Sequence, residues 1–338
     1  MLELLNTKIF DNERNILNAD LFVNNLKHTF KAFKFNTKIT YEVYRNITIY
    51  HITWNDEKSY EDMLELKKEI ALALGVTTNE FEIEKEKENE VKIKVQNMKK
   101  STLSLKELLE ESKDKDNNNI PLGLSEEDKV IYFNIEKDKN LLVTGVTGIG
   151  KTNLFNNIIL NILMNKDKTK IIILDSQSIN YNTYDKLCEV VNNEQEIINK
   201  IKEIRHIFEE KVKNNDQSRI ILFIDEIYEI IKNDISVKDD INYLLEVGAT
   251  MNIHIIMSTD SVLDEDINYL FDKDDISKLS FYLTTRREYN KFLDNYIDES
   301  LGRDGIYVST NSKLTRISLP LIEDDEITRV VDNLKVNI

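Results

Sequence analysis

The sequence has little of several residue types, and each shortage excludes a class of structure. Its 338 residues include one cysteine, two prolines, eight glycines and four histidines. A single cysteine, Cys188, cannot form an internal disulfide, and neither C-x-x-C nor H-E-x-x-H occurs, so no zinc site is expected. No apolar run approaches the ~18 residues that a membrane span requires, and the first residues lack a basic start and a long apolar stretch. We therefore expect a protein of the reducing cytoplasm with no membrane span.

Positive charge is also scarce. The chain has 45 basic and 61 acidic residues, which gives a formal net charge of −16. This balance argues against a broad basic surface that coats nucleic acid, because phosphate neutralisation requires clustered Lys and Arg. It leaves room for a narrow basic channel. The length allows about two domains, each with its own core.

The few glycines are concentrated in one place. Three of the eight fall in residues 145–150, directly after the apolar strand predicted for 141–144, and the pattern is G-x-x-x-x-G-K-T. Such a loop lets consecutive backbone N–H groups surround a polyphosphate, and the following helix turns its positive dipole end on the same anion. Lys151 is expected to reach the β- and γ-phosphates of ATP, and the Thr152 hydroxyl to ligate Mg²⁺. The predicted nucleotide-binding residues are Gly145, Val146, Thr147, Gly148, Ile149, Gly150, Lys151 and Thr152.

A second motif completes the predicted ATP site. The apolar run 220–224 ends in Asp225 and Glu226, as a Walker B strand does. Asp225 is predicted to hold the Mg²⁺ shell, and Glu226 to orient and deprotonate the attacking water. A strand that ends in two acids is common by itself, but its position after a complete phosphate loop favours an ATPase. A Glu directly after the Asp favours hydrolysis over transfer to another acceptor.

A further strand is predicted to point at the γ-phosphate. Residues 253–257 are mostly apolar and are followed by Ser258, Thr259 and Asp260. In ATPases of this class the corresponding strand lies between the phosphate-loop strand and the Walker B strand. Thr259 and Asp260 are therefore the candidate nucleotide sensors, against the alternative of an ordinary polar strand end.

The hydrophobic pattern changes near the middle of the chain. Residues 1–116 combine helices with alternating strands, which predicts a small α+β domain. Residues 117–338 alternate buried strands with helices, which predicts an α/β domain with a parallel sheet covered on both faces. The boundary is placed in a polar linker that precedes Pro121. The first domain also carries a lysine strip that could contact a polyanion or form part of a solvated, mixed-charge sheet face: Lys92, Lys94, Lys99 and Lys100.

The order of these motifs resembles that of the FtsK/SpoIIIE family of DNA translocases over almost the whole length. Besides the two ATP motifs, I-I-L-D at 172–175 and I-H-I-I-M-S-T at 253–259 are similar to family motifs, and L-G-R-D-G at 301–305 is close to the family's L-G-R-G-D. The resemblance implies a RecA-like P-loop NTPase core preceded by the family's α domain.

The resemblance also implies how the ATP site is used. Family members assemble as a ring of six, thread double-stranded DNA through the centre, and complete each ATP site with an arginine of the neighbouring subunit. By position Arg286 is the candidate for that arginine, followed by Arg287 and Arg303. One departure affects the sensor: Asp260 stands where the family has Gln, so an anion replaces a neutral water-orienting amide.

The expected function is an ATP-driven, homo-hexameric motor for double-stranded DNA. The chain ends soon after the ATPase core, so we expect it to lack the winged-helix module and the membrane anchor of chromosome-segregating members. This favours a plasmid, mobile-element or phage-like transfer process. Two alternatives remain: a protein-translocating ATPase of a secretion system, and a non-motor assembly factor that ATP switches. The sequence does not identify the recruiting protein.

Overall fold

The structure is a computed structural model. It describes residues 1–6, 13–97, 101–112, 116–165, 168–177, 181–271, 273, 276–294, 304–309 and 314–336. The chain divides into two compact units. The smaller unit consists of Lys8–Thr102 and Glu126–Lys129, and the larger of Met1–Thr7, Leu103–Ser125 and Val130–Ile338.

The smaller unit is α+β, as the sequence predicts. Its strands form a four-stranded antiparallel sheet in the order β1-β2-β4-β3. The strands are β1 Thr37–Val43, β2 Ile47–Trp54, β3 Phe81–Lys87 and β4 Glu90–Gln96. The helices are α1 Glu13–Ala32, α2 Tyr60–Glu65 and α3 Lys67–Leu74. Helix α1 buries Leu26 and Phe30, which are one helical turn apart, in a core shared with Ile52 and Ile93 of the sheet.

The lysines predicted as a basic strip are paired with acids where the structure describes them. Lys92 lies 2.6 Å from Glu86, and Lys94 lies 2.8 Å from Glu84. The structure therefore shows the mixed-charge sheet face for these two lysines. Lys99 and Lys100 lie outside the described residues.

The larger unit contains a ten-stranded sheet in the order β6-β5-β14-β13-β12-β7-β11-β10-β8-β9. Its strands are β5 Asn119–Ser125, β6 Val130–Asn134, β7 Asn140–Thr144, β8 Lys170–Asp175, β9 Glu189–Val191, β10 Ile220–Asp225, β11 Ile253–Thr259, β12 Ile276–Ser280, β13 Asp304–Val308 and β14 Thr315–Ser318. The six strands from β12 to β9 are parallel, and the other four extend the sheet antiparallel.

Helices cover both faces of this sheet. They are α4 Leu105–Glu111, α5 Ile135–Asp138, α6 Lys151–Met164, α7 Glu194–Asn214, α8 Ile227–Asn233, α9 Val237–Val247, α10 Arg286–Leu293 and α11 Asp324–Val336. Successive residues of β10 enter opposite cores: Leu222 packs with residues of α7 to α10, whereas Phe223 packs with residues of α6 and α11. A strand buried on both faces explains the continuous apolar runs and confirms the predicted α/β core. Among the described residues, no helix combines the length and apolar composition needed to cross a bilayer.

The larger unit includes Met1–Thr7, and its next segment begins at Leu103, before the predicted boundary at 116. Leu105 of α4 lies in the same apolar core as Ile158 of α6, and the carbonyl of Leu103 accepts a 2.9 Å hydrogen bond from the N–H of Leu321. Burial of α4 against the ATPase core places the division before Leu103. The described polar residues 116–118, directly before β5, lie inside this unit.

The pairing of β7, β11 and β10 positions the site. Thr144 of β7 pairs with Thr259 of β11, and Met257 of β11 pairs with Ile224 of β10. Strand β11 thus lies between the phosphate-loop strand and the Walker B strand, as predicted. Because parallel strands end at one edge of a sheet, the segments after all three strands meet there.

Candidate functional site

The predicted phosphate loop connects β7 to α6. Gly145 and Gly148 have φ angles of 152° and 78°, which L-residues with a side chain rarely adopt. The loop is closed by a 3.2 Å hydrogen bond from the N–H of Ile149 to the carbonyl of Val146. Helix α6 begins at Lys151, and its first N–H groups have no acceptor within the helix. The predicted residues therefore form a loop at the carboxyl end of β7 whose geometry fits an anion.

Replacement of Gly145 by Ala is expected to destabilise the protein more than replacement of Gly148. A Cβ at Gly145 would lie 2.6 Å from Cβ of Phe281, and Phe281 is held by a 2.8 Å backbone hydrogen bond to Thr144. Gly148→Ala is the matched control because a Cβ there meets nothing within 4 Å, so this variant suffers only backbone strain. Denaturant unfolding should show an additional loss of about 1–3 kcal/mol for Gly145→Ala. Equal losses for the two variants would contradict the packing argument.

The two oppositely charged residues of the predicted site contact each other. Nζ of Lys151 donates to the carbonyl oxygen of Gly145 at 2.8 Å and lies 3.0 Å from Oε1 of Glu226. Both charged side chains are 6% exposed, so the ion pair is screened little by solvent. Burial raises the pKa of Glu226, and the nearby Lys151 opposes that shift.

Glu226 is also held in an uncommon backbone conformation. Its φ of 58° is in the left-handed region, immediately before α8. A residue other than Gly in this region stores strain, which is frequent at functional sites. The conformation places its N–H on the hydroxyl of Ser258, at 3.0 Å.

Asp225 is buried, and each of its carboxylate oxygens accepts a hydrogen bond. The hydroxyl of Ser258 donates to Oδ1 at 2.6 Å, and the hydroxyl of Tyr181 donates to Oδ2 at 3.1 Å. Burial raises the pKa of Asp225, while these two hydrogen bonds lower it. The hydroxyl of Ser258 therefore contacts both acids of the Walker B motif: it donates to the carboxylate of Asp225 and accepts from the backbone N–H of Glu226.

The residues proposed as sensors have different surroundings. The backbone N–H of Asp260 donates to Oε2 of Glu226 at 2.9 Å, and its carboxylate accepts from the hydroxyl of Thr147 at 2.9 Å. Asp260 thus connects the tip of the phosphate loop with Glu226. The hydroxyl of Thr259 instead accepts from the N–H of Ser261 at 3.1 Å.

Two of the candidate arginines, Arg286 and Arg287, follow the strand next to the phosphate-loop strand. Arg286 is the first residue of α10, which follows β12, and β12 pairs with the phosphate-loop strand β7. Arg286 and Arg287 are both exposed on the described surface of the chain. Arg303 lies outside the described residues.

The side chains present fit a magnesium–nucleotide complex. Thr152, in the first turn of α6, lies beside the hydroxyl of Tyr181, which donates to Asp225. The two predicted metal ligands therefore flank one hydroxyl group. Mg²⁺ prefers hard oxygen ligands and keeps several waters and substrate phosphates, so two protein oxygen ligands are enough.

Two residues of the site were missed by sequence reasoning. Ser258 carries a weak signal, because it is polar at the end of an otherwise apolar strand, next to the residues proposed as sensors. Tyr181 carries no such signal, because it lies after β8 in a segment that belongs to none of the sequence motifs. Both reach Asp225 only through the tertiary fold.

A glycine loop connects a strand to a helix that begins with a buried lysine. Two acids follow a second strand, which is separated from the first by one strand of the sheet. Together these features define a P-loop ATPase with a RecA-like core. The FtsK/SpoIIIE family model matches residues 104–297, which is more than half of the chain. The chain belongs to the FtsK/SpoIIIE family.

Curated relatives cover nearly the whole chain. The DNA translocase FtsK of Bacillus cereus is 24% identical over 93% of this chain and 45% of its own length. The DNA translocase SpoIIIE of Bacillus subtilis is 23% identical over 91% of this chain and 44% of its own length. The chain thus spans less than half the length of these relatives.

Solved structures share the fold. The pCW3 conjugation coupling protein TcpA, solved as a monomer form with ATPγS, has a TM-score of 0.64 and 14% identity, covering 95% of this chain and 99% of that one. The cytoplasmic domain of the type VII secretion ATPase EccC of Thermomonospora curvata has a TM-score of 0.57 and 13% identity, covering 69% of this chain and 34% of that one. At these identities the similarity concerns the fold alone.

Proposed function

We propose that this chain is an ATP-hydrolysing motor domain that moves double-stranded DNA and acts as a homo-hexamer. The observation that carries the ATPase part is the contact of Glu226 with Lys151 beside the phosphate loop, one residue from Asp225. The DNA part is supported by family membership and by relatives named DNA translocases.

The contacts suggest how each side chain acts. A triphosphate bound in the loop attracts Lys151, whose Nζ then leaves the Glu226 carboxylate and contacts phosphate oxygens. Glu226, still fixed by the N–H of Asp260, is left with a free carboxylate oxygen that can accept a proton from water. Thr152 and Asp225 would hold Mg²⁺, which supplies charge neutralisation for the β- and γ-phosphates.

A net charge of −16 is compatible with DNA as cargo. If DNA passes through a ring, only the inner surface has to be basic, and symmetry repeats one or two lysines or arginines around it. An acidic exterior keeps the ring soluble and repels DNA from unproductive surfaces. Such a channel contacts backbone phosphates and not base edges, so binding is independent of sequence.

Linear duplex DNA of any sequence is therefore expected to stimulate ATP hydrolysis at low salt. The stimulation should fall steeply with salt, with a log–log slope of about −0.9 per phosphate neutralised, and fade well below ~0.5 M. The measurement is the ATPase rate against added duplex over a salt series. The Glu226→Gln protein, prepared in parallel, reports any contaminating ATPase.

The same assay separates the alternatives. The fold is shared with a type VII secretion ATPase, so fold does not distinguish a DNA motor from a protein pump. If a small protein partner stimulates ATP hydrolysis and duplex DNA does not, even at the lowest salt, the chain is a protein pump and not a DNA motor. Stimulation by neither would favour an assembly factor that ATP switches.

The biological setting proposed is plasmid, mobile-element or phage-like DNA transfer in the cytoplasm. It is supported by the fold shared with a conjugation coupling protein over 95% of this chain. Loss of DNA transfer on deletion of the gene, restored by the wild-type chain and not by the Glu226→Gln chain, is the expected result. Affinity purification from such cells would identify the recruiting protein.

A further inference from the structure

One tyrosine lies between the two residues that are proposed to hold Mg²⁺. Tyr181 is fully buried, and its ring belongs to the apolar core between α6 and the sheet. Its hydroxyl donates to Oδ2 of Asp225 at 3.1 Å and lies beside the Thr152 side chain. A tyrosine hydroxyl carries its proton at neutral pH, so it can donate to the carboxylate.

We propose that Tyr181 is a positioning residue whose hydroxyl fixes the Asp225 carboxylate, beside Thr152, in the arrangement that binds Mg²⁺ with the nucleotide. The proposal rests on the Mg²⁺ site of the proposed function. It adds a residue that no motif of the sequence contains.

The geometry favours a fixed donor over a group that the metal displaces. A ring with no exposed surface cannot turn away without opening the core around it. The hydroxyl therefore stays beside the carboxylate. Ser258 donates to Oδ1 of Asp225 and Tyr181 donates to Oδ2, so the two hydrogen bonds together fix the orientation of the carboxylate. Hydrogen bonds of this kind orient metal ligands, and their loss typically reduces metal affinity about 10–100-fold.

The test measures binding of a fluorescent ATP analogue by anisotropy during a Mg²⁺ titration that starts in EDTA. Tyr181→Phe removes only the hydroxyl. We expect its affinity for the analogue in EDTA to equal that of the wild type, and its midpoint in Mg²⁺ concentration to rise about 10-fold or more. No turnover is required for this readout.

Tyr184→Phe is the matched control. Tyr184 is as fully buried, lies three residues further on, and its hydroxyl bonds Oδ1 of Asn156 at 3.0 Å. The two variants lose the same group from the same core, so their melting temperatures should fall by similar amounts. Only Tyr181→Phe should shift the Mg²⁺ midpoint.

Each outcome has one meaning. An unchanged midpoint for Tyr181→Phe, or an equal shift in both variants, overturns the proposal. A lower midpoint also overturns it, because the hydroxyl would then compete with the metal. If the wild-type protein binds the analogue without any dependence on Mg²⁺, the proposed Mg²⁺ site is wrong, and the role proposed for Tyr181 is wrong with it.

A second measurement covers the case in which Tyr181→Phe does not fold. 3-Fluorotyrosine is placed at position 181 or, separately, at 184, and the ¹⁹F NMR signal is followed as Mg²⁺ is added to the ATP complex. The signal at 181 should shift and the signal at 184 should not. A silent signal at 181 contradicts the proposal.

Discussion

A Glu226→Gln protein is expected to bind ATP at least as tightly as the wild type and to hydrolyse it about 10²-fold more slowly, or worse. Glutamine keeps the shape and the left-handed backbone position of Glu226 but accepts no proton from water. It also removes the ion pair with Lys151, whose attraction to Glu226 competes with phosphate. Phosphate release and equilibrium binding of nucleotide measure the two effects separately.

Two further variants sharpen this experiment. Lys151→Ala should fail earlier, at nucleotide binding, because it removes the positive charge that contacts the phosphates. Glu229→Gln makes the same chemical change one helical turn further, on α8, and should hydrolyse ATP normally. Full turnover by Glu226→Gln would falsify its assignment as the residue that activates water.

An Arg286→Ala protein is expected to lose about 10³-fold or more of its ATPase rate while each chain still folds. The physical reason is the charge that develops on the transferring phosphoryl group, which an arginine of the neighbouring subunit would stabilise. Arg286 is exposed, which an arginine that acts on a second copy has to be. Activity should depend on assembly, and light scattering with ATP and DNA present should show a hexamer.

Mixing distinguishes action between subunits from action within one. Arg286→Ala and Glu226→Gln subunits are each inactive alone, but a mixed ring contains interfaces with one intact Glu226 and one intact Arg286. Such a mixture should recover part of the ATPase activity. As a control, the Arg287→Ala protein by itself should retain most of the wild-type ATPase activity. Particles that remain monomeric under every nucleotide condition, or mixtures without recovery, would count against a shared site.

The sequence by itself determined the parts of the site that are contiguous in the chain. A phosphate loop needs glycines at fixed offsets, a lysine and a following helix, and all of these lie within Gly145–Thr152. The Walker B strand is similarly local, because an apolar run predicts a buried strand and Asp225 and Glu226 follow it directly. The alternation of strands and helices gave the α/β class for the same reason.

The tertiary structure decided which distant residues join that site. Strands β7, β11 and β10 are neighbours in an order that differs from their order in the chain, and only this pairing brings Ser258 to Asp225 and Glu226. Burial of Tyr181 in the α6 core places its hydroxyl on Asp225. The same long-range packing, through Leu105, assigned α4 to the ATPase unit. Hydrogen bonds and apolar contacts between segments far apart in the chain leave no periodic trace in either segment, so no local pattern could have predicted them.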